Sequence, residues 1–208
     1  MAIIGAGPLG RWLALAAARA GYCVRLEDVM PANLHHAQEW LRQELGPGAA
    51  EINGEERTAG AKASNGFDSL SAQLKPRPFK ADELQVGGVA FVSTIEGAVR
   101  EADLVIDCVP DELESKLEIL WLLDRMAPPR TVLATPTTRL SIADLANCTY
   151  RAGQVVAIVA EAKTLTGTGG GEILLRTMSR TTPETVALVE GFWRRLGFLP
   201  VVEAELPA

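Results

Sequence analysis

Apolar residues recur along this chain in two periods that take turns. Residues 1–4 form an apolar run leading into a glycine-rich turn, and Leu9, Trp12, Leu13, Ala16 and Ala20 then share one face at helical spacing. Pro8 stands in the first turn of that helix, where its missing N–H costs nothing, and Gly21 supplies the stop. Residues 22–28 alternate as a strand. Pro31–Leu45 predicts a second helix with Leu34, Ala37, Trp40, Leu41 and Leu45 buried. Across residues 46–88 no period is sustained and Gly, Ala, Ser and Pro dominate. An irregular excursion of loop and short helix is expected there.

The alternation then resumes. Residues 89–94 predict a strand, 95–102 a short helix, and 103–110 an apolar run of the kind buried on both faces of a parallel sheet. Residues 112–126 predict a helix with Leu113, Leu117, Leu120, Trp121 and Leu123 inward, stopped by Pro128 and Pro129. Strands are expected at 131–135 and 155–160, and between them Ser141 with Asp144 opens a short helix as a capping box. Residues 172–178 predict a strand, and Thr182-Pro183 opens a helix with Val186, Val189, Trp193 and Leu196 inward. A last strand spans 199–202, where Pro200 marks a sheet edge. Strands alternating with helices predict one α/β domain over residues 1–208, a Rossmann-type, doubly wound, mostly parallel sheet.

Composition narrows the partners. The 208 residues are 48% hydrophobic and 22% charged with net charge −6, which fits one globular domain and gives nucleic acid no basic stripe to bind. No apolar run is long enough to cross a membrane. The first strand begins at Met1 with no leader ahead of it, so a cytoplasmic protein is expected. Cys23, Cys108 and Cys148 are odd in number and far apart, and Cys23 and Cys108 lie in apolar strand patterns, which predicts buried thiols in a reducing compartment. His35 and His36 are helix neighbours about 100° apart and cannot share a metal, so no metal site is expected.

The chemistry concentrates at the first turn, which reads Gly5-Ala-Gly7-Pro-Leu-Gly10. Gly5 permits a tight turn off the strand, Gly7 lets backbone approach a pyrophosphate, and Gly10 lets helix and strand pack closely. The helix start adds free N–H groups and partial positive charge. Asp28, eighteen residues past Gly10, closes the next strand, where a carboxylate accepts hydrogen bonds from a ribose and repels a 2′-phosphate. NAD is therefore expected rather than NADP. Glu27 is the rival acid, but alternation turns it to the opposite side of the strand.

With these motifs the chain resembles, from Ile4 to about Pro207, the NAD-binding domain of the 3-hydroxyacyl-CoA dehydrogenase family. Leu9-Gly10 stands for the family's Met-Gly, and Asp28 for its strand-end acid. Residues 109–116 stand for its V-x-E and following lysine, and Thr135-Pro-Thr-Thr-Arg-Leu-Ser-Ile142 for its S-N-T-S and x-L-x-I. The resemblance implies a cofactor site built from Gly5, Gly7, Pro8, Leu9, Gly10, Asp28, Val109, Pro110, Asp111, Lys116 and Thr135. Lys116 would lie near the nicotinamide ribose, and Thr138 between nicotinamide and substrate as the residue carried over for catalysis. The implied substrate is a small 3-hydroxyacyl compound or 3-hydroxy acid, in the setting of fatty acid metabolism.

The departures fall on the chemistry. Family members place a general acid–base His, and then an Asn, in an H-F-F-N-P run; the aligned residues here put Val159 at the His and Ala162 at the Asn. An aliphatic side chain cannot carry a proton, and losing such a base removes about 10²–10⁴-fold in rate. Glu172 corresponds to the glutamate that orients the His, with nothing to orient. The last residues fall where the family enters an all-helical C-terminal domain, and 46–88 falls where it extends a CoA-holding arm, here without an amphipathic helix pair. The loop 166–171 lacks the Lys-Ser/Thr ending of a phosphate loop, and Glu161 with Lys163 reads as a solvated pair. Asp107 reads as a strand-end group beside the cofactor crevice. Two functions remain open, an oxidoreductase with altered proton transfer and a non-catalytic NAD-binding or regulatory module. A homo-oligomer is expected from the apolar last strand.

Overall fold

The apolar runs become strands because both of their faces are covered: every residue of Ala2–Ile4, Val24–Glu27 and Leu104–Asp107 is buried. The structure, a computed structural model, describes residues 1–46, 85–160, 165–166 and 170–205. The strands are β1 (Ala2–Ile4), β2 (Val24–Glu27), β3 (Gln85–Val86), β4 (Val89–Val92), β5 (Leu104–Asp107), β6 (Val132–Pro136), β7 (Val155–Val159), β8 (Gly171–Thr177) and β9 (Phe198–Ala204). The principal helices are α1 (Pro8–Arg19), α2 (Pro31–Leu45), α3 (Ile95–Val99), α4 (Leu113–Met126), α5 (Ile142–Asn147) and α6 (Pro183–Arg195). They build one sheet in the order β3-β4-β2-β1-β5-β6-β7-β8-β9. From β4 to β7 the pairing is parallel, β3 and β8 run antiparallel to their inner neighbours, and β9 is parallel to β8. The doubly wound, mostly parallel sheet is the expected one, and Pro200 lies on its outermost strand.

Two apolar layers flank the sheet. Ile3, Leu26, Ile106, Ala134, Ile158 and Leu175 face α1, α2 and α6. Ala2, Ile4, Val105, Leu133 and Ala157 face α3, α4 and α5. In the first layer Trp193 of α6 packs edge-on against Phe192 and Phe198, with ring centroids 5.3 Å away in both cases, and Phe198 meets Trp12 of α1 at 6.2 Å.

Four expectations need correction. In α1 the deepest residues are Gly10, Leu13, Ala14 and Ala17, with Leu9, Trp12 and Ala20 at the flanks. Three of these four are Gly or Ala, which lets the helix lie close to the sheet, and Trp12 turns to the flank, where it meets Phe198. In α4, Leu113 and Trp121 are exposed (45% and 49%) while Lys116 is buried, because the strand beneath supplies a carboxylate. Residues 85–88 are not irregular. They form the β3–β4 hairpin, and Gly87 and Gly88 adopt φ +57° and +92° as a primed turn demands. The remainder of the excursion, 47–84, lies outside the described residues. Cys23 and Cys108 are only partly buried, since they sit just beyond strand ends.

Candidate functional site

Four loops gather where the parallel strands end, those after β1, β2, β5 and β6, with β1 at the point where strand order reverses. In an open α/β sheet this is where ligands bind. The three loop glycines do different things. Gly5 has φ +101°, and a Cβ on it would press on the Cys108 carbonyl at 3.1 Å. A Cβ on Gly10 would lie 1.8 Å from the Gly5 oxygen, so helix and turn touch there through backbone alone. Gly7, the residue capping α1, would direct a Cβ into open space with nothing within 4 Å. That open cradle, beside the unspent N–H groups of the helix start, fits a pyrophosphate.

Asp28 follows β2 with its carboxylate tied to the glycine loop. Its Oδ2 accepts from the Ala6 N–H at 2.8 Å, its Oδ1 from the Met30 N–H at 2.8 Å, and the Asn33 amide donates to both at 3.1 Å. A carboxylate offers about four acceptor positions, and these four bonds take them, so a ribose hydroxyl enters by replacing the Asn33 amide, whose own side chain sits on the exposed start of α2. Asn33 was not singled out from sequence, although an Asp followed by an amide side chain at a helix start is a readable signal. Glu27 points the other way, as alternation requires. Burial, and then the charge of Asp28, push its carboxyl up to about 7.

On the α3–α5 face, register lays a polar row through the core. Ile4 pairs with Glu27 on one side and Asp107 on the other, and Thr135 follows Ala134, the partner of Ile106. Asp107 and Lys116 are both fully buried, with Nζ 2.5 Å from Oδ1. Burial raises the Asp107 carboxyl, against the pull of the Lys116 ammonium, the Thr135 hydroxyl and the Val109 N–H. The pair pins the first turn of α4 to the end of β5, and so fixes the connecting segment that carries Val109, Pro110 and Asp111.

Asp111 in turn reaches the loop after β6. Its Oδ2 accepts from the Thr138 N–H at 3.1 Å, and its backbone carbonyl accepts from Arg139 Nη2 at 2.8 Å. Asp111 Oδ1 is buried and has no donor among the described residues. Thr137 shapes the turn from inside: its hydroxyl accepts from the Leu140 N–H at 3.1 Å, leaving the Thr138 and Arg139 side chains exposed. Thr135 is buried beneath them.

The rest of the expected site is sparser. Val159 ends β7 opposite Leu174, and Glu172 is exposed on β8. Glu161, Ala162, Lys163 and residues 167–169 lie outside the described residues. His35 and His36 are exposed, His35 beside Glu39 at 3.2 Å. Among the described residues no cluster of His, Cys, Asp or Glu is fit to hold a metal, and no helix is long and apolar enough to span a membrane.

Residues 1–159, which carry every part of this crevice, match the model of the family described as 3-hydroxyacyl-CoA dehydrogenase, NAD binding domain. The chain belongs to this family. Its cofactor is NAD. A probable 3-hydroxybutyryl-CoA dehydrogenase of Bacillus subtilis is 28% identical over 154 residues, 74% of this chain and 45% of that protein. The 5-formyl-3-hydroxy-2-methylpyridine 4-carboxylate 5-dehydrogenase of Mesorhizobium japonicum is 28% identical over 97% of this chain and 56% of its own length. The chain thus spans about half the length of the relatives it matches. Among solved structures, a dehydrogenase of that pyridine carboxylate superimposes with TM-score 0.70 at 26% identity, over 99% of this chain and 58% of that one. The (S)-3-hydroxybutyryl-CoA dehydrogenase of Ralstonia eutropha gives 0.71 at 20% identity, over 99% of this chain and 63% of that one, and speaks to fold alone.

Proposed function

We propose that the chain binds NAD(H) across the C-terminal edge of the sheet and handles small 3-hydroxyacyl or 3-hydroxy acid substrates with impaired proton transfer. The open cradle at Gly7 carries the cofactor half of this reading. The pyrophosphate lies over residues 7–10, the adenosine ribose takes the Asp28 acceptor positions that the Asn33 amide now holds, and the nicotinamide half lies between 109–116 and 135–138. Bound NAD supplies a hydride acceptor, and the residues of the chain bind and orient. Asp111 Oδ1, buried and without a donor among the described residues, is an acceptor for a ribose hydroxyl. Lys116 serves from beneath, through Asp107, by holding that wall in place. Thr138 presents its hydroxyl to the substrate.

The proton side carries the impairment. Val159 stands where the family places its His and cannot accept a proton from a carbinol. That observation also favours the second reading, a non-catalytic NAD-binding or regulatory module. Calorimetric titration with NADH comes first; absence of binding would sink both readings. Hydride transfer is then followed at the NADH absorbance with NAD and a panel of 3-hydroxyacyl-CoA thioesters and free 3-hydroxy acids. Slow turnover that falls further in Thr138→Ala supports the enzyme. Binding without turnover on any substrate leaves the module.

A second copy of the chain is the partner proposed for the face of β8 and β9 turned away from α6. Leu199 and Val201 there are 66% and 45% exposed beside Leu174. Glu172 and Arg176 stand two positions either side of Leu174, so two copies stacked antiparallel about that residue set each Glu172 against the partner's Arg176.

A further inference from the structure

Resting on the reading of the nicotinamide half-site, we infer that the substrate carries a free carboxylate and that Arg139 is the residue that recognises it. Arg139 follows Thr138 directly, in the turn whose shape is set by the buried Thr137 hydroxyl. Its side chain is 72% exposed at the mouth of the crevice, where Nη2 donates to the Asp111 carbonyl at 2.8 Å and tethers the guanidinium there. Among the described residues one donor of five is spent, on a neutral oxygen. Among the described residues the nearest carboxylate oxygen, Asp111 Oδ2, is 3.9 Å from Nε and accepts from the Thr138 N–H, so these residues compensate the positive charge only weakly.

A tethered guanidinium with free donors is a carboxylate receptor, because the planar fork matches two oxygens and little side-chain freedom is lost on binding. In a 3-hydroxy acid one methylene separates the carboxylate from the carbinol carbon. That short span suits two consecutive residues, with Thr138 at the carbinol and Arg139 at the carboxylate. A thioester carries no charge at the same carbon and gives the guanidinium only a carbonyl oxygen to meet. The arrangement therefore selects free acids over thioesters.

The test measures binding in a complex that cannot turn over. The full chain is saturated with NADH, whose own affinity is measured first, and titrated with 3-hydroxybutyrate or its methyl ester while nicotinamide fluorescence is read. The acid should bind at least tenfold more tightly than the ester. Arg139→Gln should abolish that preference, and Arg139→Lys should restore part of it. Equal affinity for acid and ester, a preference that survives Arg139→Gln, or no acid binding to the NADH complex overturns the inference. Failure of NADH itself to bind overturns the cofactor reading with it, so the two failures are told apart by the first titration.

Discussion

Replacing Lys116 with Met tests whether the buried pair holds the site as the geometry implies. The ammonium is 2.5 Å from Asp107 Oδ1, and both side chains are sealed from solvent. Removing the cation leaves a carboxylate buried without its counter-charge, which costs about 3–5 kcal/mol in comparable pairs. For a chain of this size, that corresponds to about 6–20 °C in Tm. The loss should also depend on pH. Burial already raises the Asp107 carboxyl above its ordinary value of 3.8, and Lys116 is the strongest influence pulling it back. In Lys116→Met the folded value rises further while the unfolded value stays. A raised folded value means that stability is fully present below the unfolded value and is lost as pH rises towards the folded one. The slope is at most about 1.4 kcal/mol per pH unit. Urea unfolding followed by tryptophan fluorescence at pH 6, 7 and 8 measures this, with the parent chain beside it. Pairing Asp107→Leu with Lys116→Met removes both charges and should regain most of the loss, with little pH dependence. A single variant that loses less than about 1 kcal/mol, or a double variant as unstable as the single one, would refute the argument. NADH titration of the double variant then separates holding the loop from reaching the ribose, since affinity survives only in the first case.

Further outcomes are expected elsewhere. Gly7→Ala points its methyl into open space, so the chain should keep its Tm within about 2 °C and lose NADH affinity tenfold or more, whereas Gly10→Ala, 1.8 Å from the Gly5 oxygen, should lower Tm and affinity together. At the other end of the chain the Glu205 carboxylate caps α5, accepting from the Ser141 hydroxyl and from the Ile142 N–H at 3.0 Å. Partial burial raises its carboxyl, but the bonds from Ser141, Ile142 and Ala143, with Arg176 nearby, outweigh this and leave it lowered from 4.5. Its contribution is therefore present above that value and lost as pH falls through the lowered one; Glu205→Gln should cost up to about 1 kcal/mol at pH 7, a difference that shrinks in thermal scans as pH is lowered below 4.5. If two copies stack on Leu174, sedimentation equilibrium gives a dimer that Leu174→Lys converts to monomer, and a parent chain that sediments as a monomer refutes the stacking.

The sheet was legible because burial on both faces writes an unbroken apolar run, as in Leu104–Asp107, and because glycine chemistry marks the turns. Gly87-Gly88 carried a hairpin signal that the reading of 46–88 as irregular passed over, because low complexity before it masked the turn. The glycine loop could be assigned residue by residue, since each position has its own steric demand. What sequence could not give was pairing across distance. Asp111 meets Arg139 across 28 positions, and Asp28 reaches the Ala6 N–H across 22, contacts that exist only once β5 lies beside β6 and β2 beside β1.

The inversion of α4 shows where periodicity misleads. Hydropathy alone sends Trp121 inward and Lys116 outward, and the structure does the reverse. A helix buries the face that the layer beneath accepts, and β5 ends in a carboxylate directly under the first turn of α4. An acid inside an apolar strand needs a cation, and the first one that follows it along the chain is nine residues on, at the inward position of the next helix. Both halves of that pair were visible in the sequence. Weighed together, a buried Asp107 predicts a buried Lys116, and the pair then sets the rotation of α4, the course of the segment bearing Asp111, and through Asp111 the place of Thr138 and Arg139.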